Sequence, residues 1–327
     1  MRRAFAAIAG IVVSVVFGWL AVRGLDFDEV RRAIRSASLA WILAAVVVSV
    51  IGVAMRAERW RTLFPRASRP ARVPTFWASQ IGLLANNVLP LRAGELVRTL
   101  ALCRESGLRR TAVLATVGVE RVFDLAVIAA LQLVIAWHLP DVPVARRFTL
   151  LALAILALAT VVVAVLAVAP ARRRAGDLLI RLPVLRTRGG VLIDSLRTGL
   201  AALRDRQLAA VALLWTLASW LVLTVAGWCV LQAFDLHLPW HAALFLLVAV
   251  TFAQAVPASA GSVGVFELAA RSALVAYGVP PAVALSAGLV LHAVSALPFI
   301  ALGAVGMARL GISRRELARA DTADPAR

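Results

Sequence analysis

Hydrophobic residues in this chain form long uninterrupted runs, a pattern typical of helices that cross a lipid bilayer. Six of these runs have at least the roughly 17 residues that a helix needs to span the hydrocarbon core. We therefore predict an all-α, polytopic membrane protein with six full spans. The six runs cover residues 4–22, 39–55, 111–137, 148–169, 208–232 and 282–308.

Two further apolar stretches, 76–107 and 242–277, differ from these because proline and glycine interrupt them. Broken helices at corresponding places in two halves of a membrane protein indicate an inverted repeat with a transport site near the midplane. We predict that each stretch forms a re-entrant helical hairpin, called here the first and the second broken hairpin. The breaks fall at Pro90, Gly94, Pro257, Gly261 and Gly264.

The distribution of arginine predicts the orientation of these elements. Segments 56–74 and 170–207 are rich in arginine, whereas 233–241 and 278–281 contain none. Because cytoplasmic loops carry the excess of basic residues, both termini are expected in the cytoplasm. The first broken hairpin then enters from the cytoplasm and the second from outside, so the two oppose each other. We expect residues 1–327 to form a single transmembrane domain, with 170–207 as a cytoplasmic basic linker.

Composition agrees with a membrane protein and narrows its function. The chain is 62% hydrophobic and has a net charge of +18, and it contains arginine but no lysine. Arginines in cytoplasmic loops that contact anionic headgroups explain this charge, and no basic stripe with interleaved aromatic residues indicates nucleic-acid binding. Cys103 and Cys229 have no metal-like spacing. We expect no metal, no cofactor and a location in the bacterial inner (plasma) membrane.

Three charged residues occur within the predicted span 111–137, namely Glu120, Arg121 and Asp124. At about 100° per residue, Glu120 and Asp124 lie about 40° apart and Arg121 fits the same arc of the helix. Charges inside a bilayer are costly unless they are paired or face water. Two interpretations remain open: a network that orients a transport cavity, or a structural cluster that holds helices together.

Each broken hairpin is followed by a glutamate and an arginine one helical turn apart. Glu95 precedes Arg98, and Glu267 precedes Arg271. One interpretation is a local ion pair in each helix. The other is that both arginines hold a phosphate with their planar forks, helped by helix N-termini that begin at the glycines of the breaks. The hydroxyls of Ser259 and Ser262 could add donors, or could serve only as turn residues.

His292 lies midway along the last predicted span. A single histidine in an apolar helix is either a packing residue or part of the cavity, where its titration near neutral pH would matter. The second interpretation adds His292 to the candidate substrate-binding residues. Glu95, Glu120, Arg121, Asp124 and Glu267 are the candidate charge network.

The motifs around these residues resemble one known family. They are Leu89 to Glu95 with Arg98, then Glu120-Arg121 with Asp124, and finally Val256-Pro257 through Gly261, Gly264 and Glu267. In that order they are similar to the lysylphosphatidylglycerol synthase transmembrane-region, or flippase-like, membrane proteins. The resemblance covers nearly the whole chain. We expect the cytosolic aminoacyl-transfer domain of the lysylphosphatidylglycerol synthases to be absent, so the resemblance implies the translocation part alone. Relatives often carry an arginine where this chain has His292.

The resemblance implies transbilayer movement of a phosphate-bearing lipid, either a phospholipid or a polyprenyl-phosphate-linked precursor. We expect no enzymatic activity and, because no ATP-binding loop occurs, passive or ion-coupled movement. An alternative function is a membrane scaffold or partner subunit for a lipid-modifying or glycosyl-transfer enzyme. A third is an intramembrane enzyme that acts on lipid headgroups.

Overall fold

The computed structural model describes residues 2–89, 94–168, 206–254 and 260–312. Every regular element in these ranges is helical, which confirms the predicted all-α class. The described part of the chain contains eleven α-helices. They are α1 Arg2–Val22, α2 Phe27–Ser36, α3 Leu39–Thr62, α4 Arg72–Val88, α5 Gly94–Ser106, α6 Arg110–Ile135, α7 Pro143–Val168, α8 Arg206–Ala233, α9 Trp240–Ala253, α10 Val265–Val275 and α11 Pro281–Arg309.

Three described helices are long and apolar enough to cross a membrane by themselves. They are α3, the Gln207–Ala233 part of α8, and α11. The end of α1 and the short α2 would make a fourth candidate if the pair is one span, and these two helices meet at 82°. The chain is therefore a multi-pass membrane protein.

Helix α3 is longer than the sequence pattern predicts, and the predicted loop at 56–74 is wrong over its first seven residues. The helix continues to Thr62 and carries Arg56 and Arg59 with it. No glycine or proline interrupts the chain between Val53 and Pro65, so nothing in the sequence ends the helix earlier. The extra turns take arginine into the protein interior, where Arg59 is 1% exposed.

At the first break, α4 and α5 approach each other closely through two glycines. A Cβ on Gly94 would collide with the backbone oxygen of Gly82 and come within 2.5 Å of Oδ1 of Asn86. The backbone N–H of Gly94 donates to that same Asn86 oxygen at 2.9 Å. The first turn of α5 is therefore fixed to α4 by backbone contact and by one amide side chain.

At the second break, between α9 and α10, the backbone is left-handed at Gly261 and Gly264, with φ of 72° and 86°. A Cβ on Gly264 would collide with the backbone oxygen of Ser14 and lie 2.6 Å from the nitrogen of Gly18. Glycine at position 264 thus permits both the turn and the close crossing with α1.

The two breaks lie beside each other. A Cβ on Gly261 would lie 3.6 Å from the backbone oxygen of Asn87, and the turn Ala260–Ser262 packs against α4. Elsewhere α3 packs along α8, and α11 packs along α4 and α10. Two of the predicted break residues, Pro90 and Pro257, lie outside the described residues. So do residues 170–205 of the predicted basic linker 170–207, whose last two residues begin α8.

Candidate functional site

A buried arginine on α3 is the centre of the charge network. The guanidinium of Arg59 forms an ion pair with Asp124 through Nη1 and with Glu120 through Nη2, the latter at 2.6 Å. Both carboxylates belong to α6 and lie one helical turn apart, as the 40° separation predicts. The side chain of Arg59 is therefore almost fully enclosed by the two acids that neutralise it.

Arg98 of α5 reaches the same network from the other side. Its Nη1 lies 3.0 Å from Oε2 of Glu120, and its guanidinium carbon lies 4.7 Å from the ring centre of Trp60. The indole N–H of Trp60 in turn donates to Thr116 at 3.0 Å. Arg98 is thus paired with Glu120 on another helix, which contradicts the interpretation that it forms a local pair with Glu95.

Glu95 instead pairs with Arg121. Oε1 of Glu95 lies 2.8 Å from Nε of Arg121, and about two-fifths of each side chain is exposed. Arg121 remains near Asp124, at 3.9 Å. The three charged residues of α6 therefore share one arc of the helix, with Glu120 and Asp124 buried and Arg121 at the edge.

Arg121 and Asp124 line a cavity of about 370 Å³ between α3, α6, α8, α9, α10 and α11. One wall is charged and includes Arg56 of α3. The rest of the lining is largely apolar, with hydroxyl and amide groups of Ser49, Thr251, Gln254 and Ser295 among it. The apolar lining consists of Leu125, Ile128, Trp220, Leu223, Ala226, Gly227, Leu247, Val250, Phe266, Leu291, Val294 and Phe299.

Trp220 connects the apolar and the charged walls. Its indole N–H donates to Oδ1 of Asp124 at 3.0 Å, and its ring lies beneath the guanidinium of Arg56 at 5.3 Å. Nη2 of Arg56 lies 3.6 Å from Oδ2 of Asp124. Asp124 is therefore held by two arginines and an indole, which fixes its carboxylate at the cavity surface.

The glutamate of the second half has different partners. Oε2 of Glu267 accepts from the backbone N–H of Gly264 at 2.6 Å, and Oε1 lies 2.5 Å from Nδ1 of His292. The imidazole stacks on Phe266 at 4.3 Å between ring centres. Phe266 faces the cavity, so the pair formed by Glu267 and His292 lies directly behind the cavity wall.

Arg271 does not contact Glu267 in the structure. Its Nη1 donates to backbone carbonyls at the end of α1, at 2.8 Å for Ala21 and 3.2 Å for Leu20. These carbonyls have no partner within the helix, so Arg271 caps α1. This contradicts the interpretation of a local pair in α10, and the contacts of the Arg271 guanidinium are with the backbone of α1.

Both helix starts predicted to hold phosphate already have side-chain partners. The N–H of Gly94 is bound to Asn86 and that of Gly264 to Glu267. Ser262 lies in the turn before α10 with a φ of 56°, and Ser259 lies outside the described residues. No group of three or more metal-binding side chains occurs in the described ranges.

Sequence reasoning missed Arg56 and Arg59, because a run of arginines after an apolar segment is typical of a cytoplasmic loop. A usable signal was present. Arg56, Arg59 and Trp60 fall on one helical face at three- and four-residue spacing. Two carboxylates in α6 also required buried cations, and Arg121 alone could not neutralise both.

Comparison with known proteins identifies the family. The model of the lysylphosphatidylglycerol synthase transmembrane region matches residues 7–303. The chain belongs to this family. Its members include a UPF0104 membrane protein of Methanothermobacter thermautotrophicus, to which it is 27% identical over 290 residues, 84% of this chain and 85% of that protein. Membership of the lysylphosphatidylglycerol synthase transmembrane family indicates a lipid-related membrane protein.

A second similarity is partial. Glycosyltransferase AglD of Haloferax volcanii is 30% identical to this chain over 135 residues. The matching region covers 40% of this chain and 21% of AglD. It therefore concerns a segment of each protein and not their whole lengths.

Proposed function

We propose that the protein moves a phosphate-bearing lipid between the two leaflets of the membrane. The observation that carries this proposal is the cavity, which places arginines on one wall and apolar side chains on the others. A lipid has the same division, with an anionic headgroup and hydrocarbon chains. Family membership supports a lipid as the substrate class.

The energetics of buried charge favour a cavity that receives an anion. Ionised side chains between membrane helices are costly and usually mark substrate or ion pathways. In this protein they are concentrated at one wall, where Arg56 and Arg121 reach the cavity. A network that served only to join helices would have no need to present arginine to an open space.

We also propose that the helices form six full spans and two opposed broken hairpins in the bacterial inner membrane, with both termini cytoplasmic. The adjacency of the two breaks at Asn87 and Gly261 supports this arrangement, since hairpins entering from opposite faces meet near the midplane.

This arrangement is tested with single cysteines at Arg66 and Pro280, in a background without Cys103 and Cys229. The first should label from the cytoplasm and the second from outside. Labelling of both from one face contradicts the inverted arrangement.

The transport proposal is tested with purified protein in liposomes that contain a fluorescent phospholipid or a labelled polyprenyl-phosphate-linked sugar. Movement is measured as the rise in lipid accessible to a membrane-impermeant quencher or enzyme. A matched variant, Leu247→Trp, fills the apolar side of the cavity without touching the charge network. Wild-type protein should move lipid faster than empty liposomes, and Leu247→Trp should slow that movement. No acceleration with either lipid contradicts the proposal.

A second function, scaffolding of a glycosyl-transfer enzyme, is favoured by the partial match to AglD. In that case the cavity would position a lipid-linked substrate for a partner enzyme. Stoichiometric co-purification with a glycosyltransferase, together with inactivity in the liposome assay, would support this alternative over transport.

A further inference from the structure

The charged wall of the cavity is not electrically neutral. Within the described residues, the network contains four arginines and three carboxylates, so one positive charge is in excess. The three charged residues that line the cavity itself leave the same excess. The network consists of Arg56, Arg59, Arg98, Arg121, Glu95, Glu120 and Asp124.

Arg56 carries this excess. Arg59 and Arg98 form close ion pairs with Glu120, and Arg121 is paired with Glu95. The nearest carboxylate oxygen to Arg56 is at 3.6 Å on Asp124, and the structure gives its guanidinium no hydrogen bond within the described residues. Because Arg56 also lines the cavity, N–H donors of its guanidinium are available to a ligand there.

Asp124 neutralises Arg56 only in part, because the same carboxylate also pairs with Arg59. Its Oδ1 accepts from Arg59 and from the indole of Trp220, and its Oδ2 accepts from Arg59 at 3.2 Å. Trp220 also supports the Arg56 guanidinium from below. Arg56 is thus held in position by an aromatic ring while its charge remains to be balanced.

We infer that Arg56 binds the phosphate of a lipid that carries a single negative charge, as a phosphodiester does. This inference rests on the lipid movement proposed above and names the substrate class. One phosphodiester balances one excess arginine, and a guanidinium binds two phosphate oxygens with parallel hydrogen bonds. The apolar walls accommodate the lipid chain next to the headgroup.

Charge balance also predicts that the cavity binds phosphodiesters in preference to phosphomonoesters. A monoester carries about 1.5–2 negative charges at neutral pH, which would leave excess negative charge between membrane helices. Such a charge is costly to bury. Phosphatidylglycerol and a polyprenyl-phosphate-linked sugar are both singly charged diesters, whereas phosphatidic acid and polyprenyl phosphate are monoesters.

The first test uses wild-type protein and needs no substitution. Detergent-purified protein is mixed with equal amounts of phosphatidylglycerol and phosphatidic acid of matched chains, and retained lipid is measured by native mass spectrometry. A second mixture contains the polyprenyl-phosphate-linked sugar and the corresponding polyprenyl phosphate. Diester should exceed monoester in at least one mixture, and the mixture that shows it identifies the source of the lipid. Equal retention, or preference for monoester, in both mixtures overturns the inference.

The second test changes Arg56 and uses Arg61 of the same helix as its control. Arg61 forms an ion pair with Glu58, at 2.5 Å and 3.0 Å, away from the cavity. Arg56→Gln should reduce retention and movement of the diester lipid by about tenfold or more, as the loss of a charge-assisted hydrogen bond predicts. Arg61→Gln should resemble the wild type, and Arg56→Lys should fall between, because it keeps the charge but loses the fork.

The outcomes separate this inference from the proposed function. Wild-type movement that Arg56→Gln leaves unchanged overturns the role of Arg56 while transport stands. Diester retention that depends on Arg56, with no movement by wild-type protein, supports the binding site and contradicts transport. If Arg56→Gln does not fold, the inference is tested with Arg56→Lys and with the wild-type competition. Diester retention by Arg56→Lys equal to that of the wild type would exclude the contact of one guanidinium with two phosphate oxygens.

Discussion

The two broken helix pairs share a short sequence signature, yet the structure uses its residues in different ways. In the first, the glutamate and arginine of α5 reach across to α3 and α6 and join a network of seven charges. In the second, Glu267 is hydrogen-bonded to Gly264 and to His292, and Arg271 caps the end of α1. A repeat in sequence therefore does not imply a symmetric site.

The difference follows from what each pair packs against. Helix α5 lies beside α6, which has two buried carboxylates, so arginine is needed there. Helix α10 packs on α1 and α11, whose described parts present backbone carbonyls and a histidine. The first half thus supplies the charged residues of the cavity, and the second half supplies most of its apolar lining.

The largest expected effect is that of Arg59→Met. It leaves Glu120 without its 2.6 Å partner and removes two contacts from Asp124, and breaking a buried pair in this way costs about 3–5 kcal/mol. We expect little monodisperse protein and a much lower melting temperature by tryptophan fluorescence. Arg61→Met should cost less than Arg59→Met, because it frees a single carboxylate, Glu58, which keeps Arg72 at 3.5 Å. Equal losses for the two variants would mean that Arg59 is solvated.

Gly264→Ala and Gly94→Ala compare how much the close backbone contacts at the two breaks contribute to stability. Alanine there must adopt a φ of 86° and also meets α1, so a loss of about 2–3 kcal/mol is expected from strain and crowding. Gly94→Ala, which meets α4, should be similarly damaging. Gly278 has a φ of 80°, and a Cβ added there would have no atom within 4 Å. Gly278→Ala therefore measures the cost of backbone strain without crowding. If Gly278→Ala lowers the melting temperature as much as Gly264→Ala, close packing at the break contributes nothing.

Glu267→Gln tests the support behind the cavity. The amide can still accept from Gly264 but loses the charge that faces His292, so a cost of about 1–2 kcal/mol is expected. Because the pair lies behind Phe266, lipid movement should fall less than it does with Arg56→Gln. His292→Gln keeps a hydrogen-bonding group and should have a smaller effect. An unchanged melting temperature for both variants would show that the pair contributes no stability.

The smallest effect is expected for Arg271→Lys. The contacts of Arg271 all come from Nη1, and a lysine ammonium can also bind carbonyls at a helix C-terminus. Stability should change by less than about 1 kcal/mol, and lipid movement should be near that of the wild type. A large loss of movement with normal stability would restore Arg271 as a phosphate-binding residue and make the two halves alike.

The sequence predicted the helices well because long apolar runs and proline–glycine breaks have a direct structural meaning. It placed α5 and α10 directly after the breaks, and it brought Glu120 and Asp124 to one face. It assigned Arg98 and Arg271 equal tasks, since spacing along the chain does not reveal which neighbouring helix supplies a partner. It missed Arg59 because a buried arginine and a loop arginine look alike until the two carboxylates facing it are known.

The contacts between α1 and α10 also bear on how the protein is made. Ala21 and Arg271 are 250 residues apart in the chain, yet the second caps the helix that contains the first. At a synthesis rate of about 5–20 residues per second, the end of α1 waits roughly 12–50 seconds for this partner. During that interval its last carbonyls depend on water or headgroups. Helix α1 is thus completed only after α10 has been made, and a chain stopped before Gly264 would lack the surface on which α1 packs.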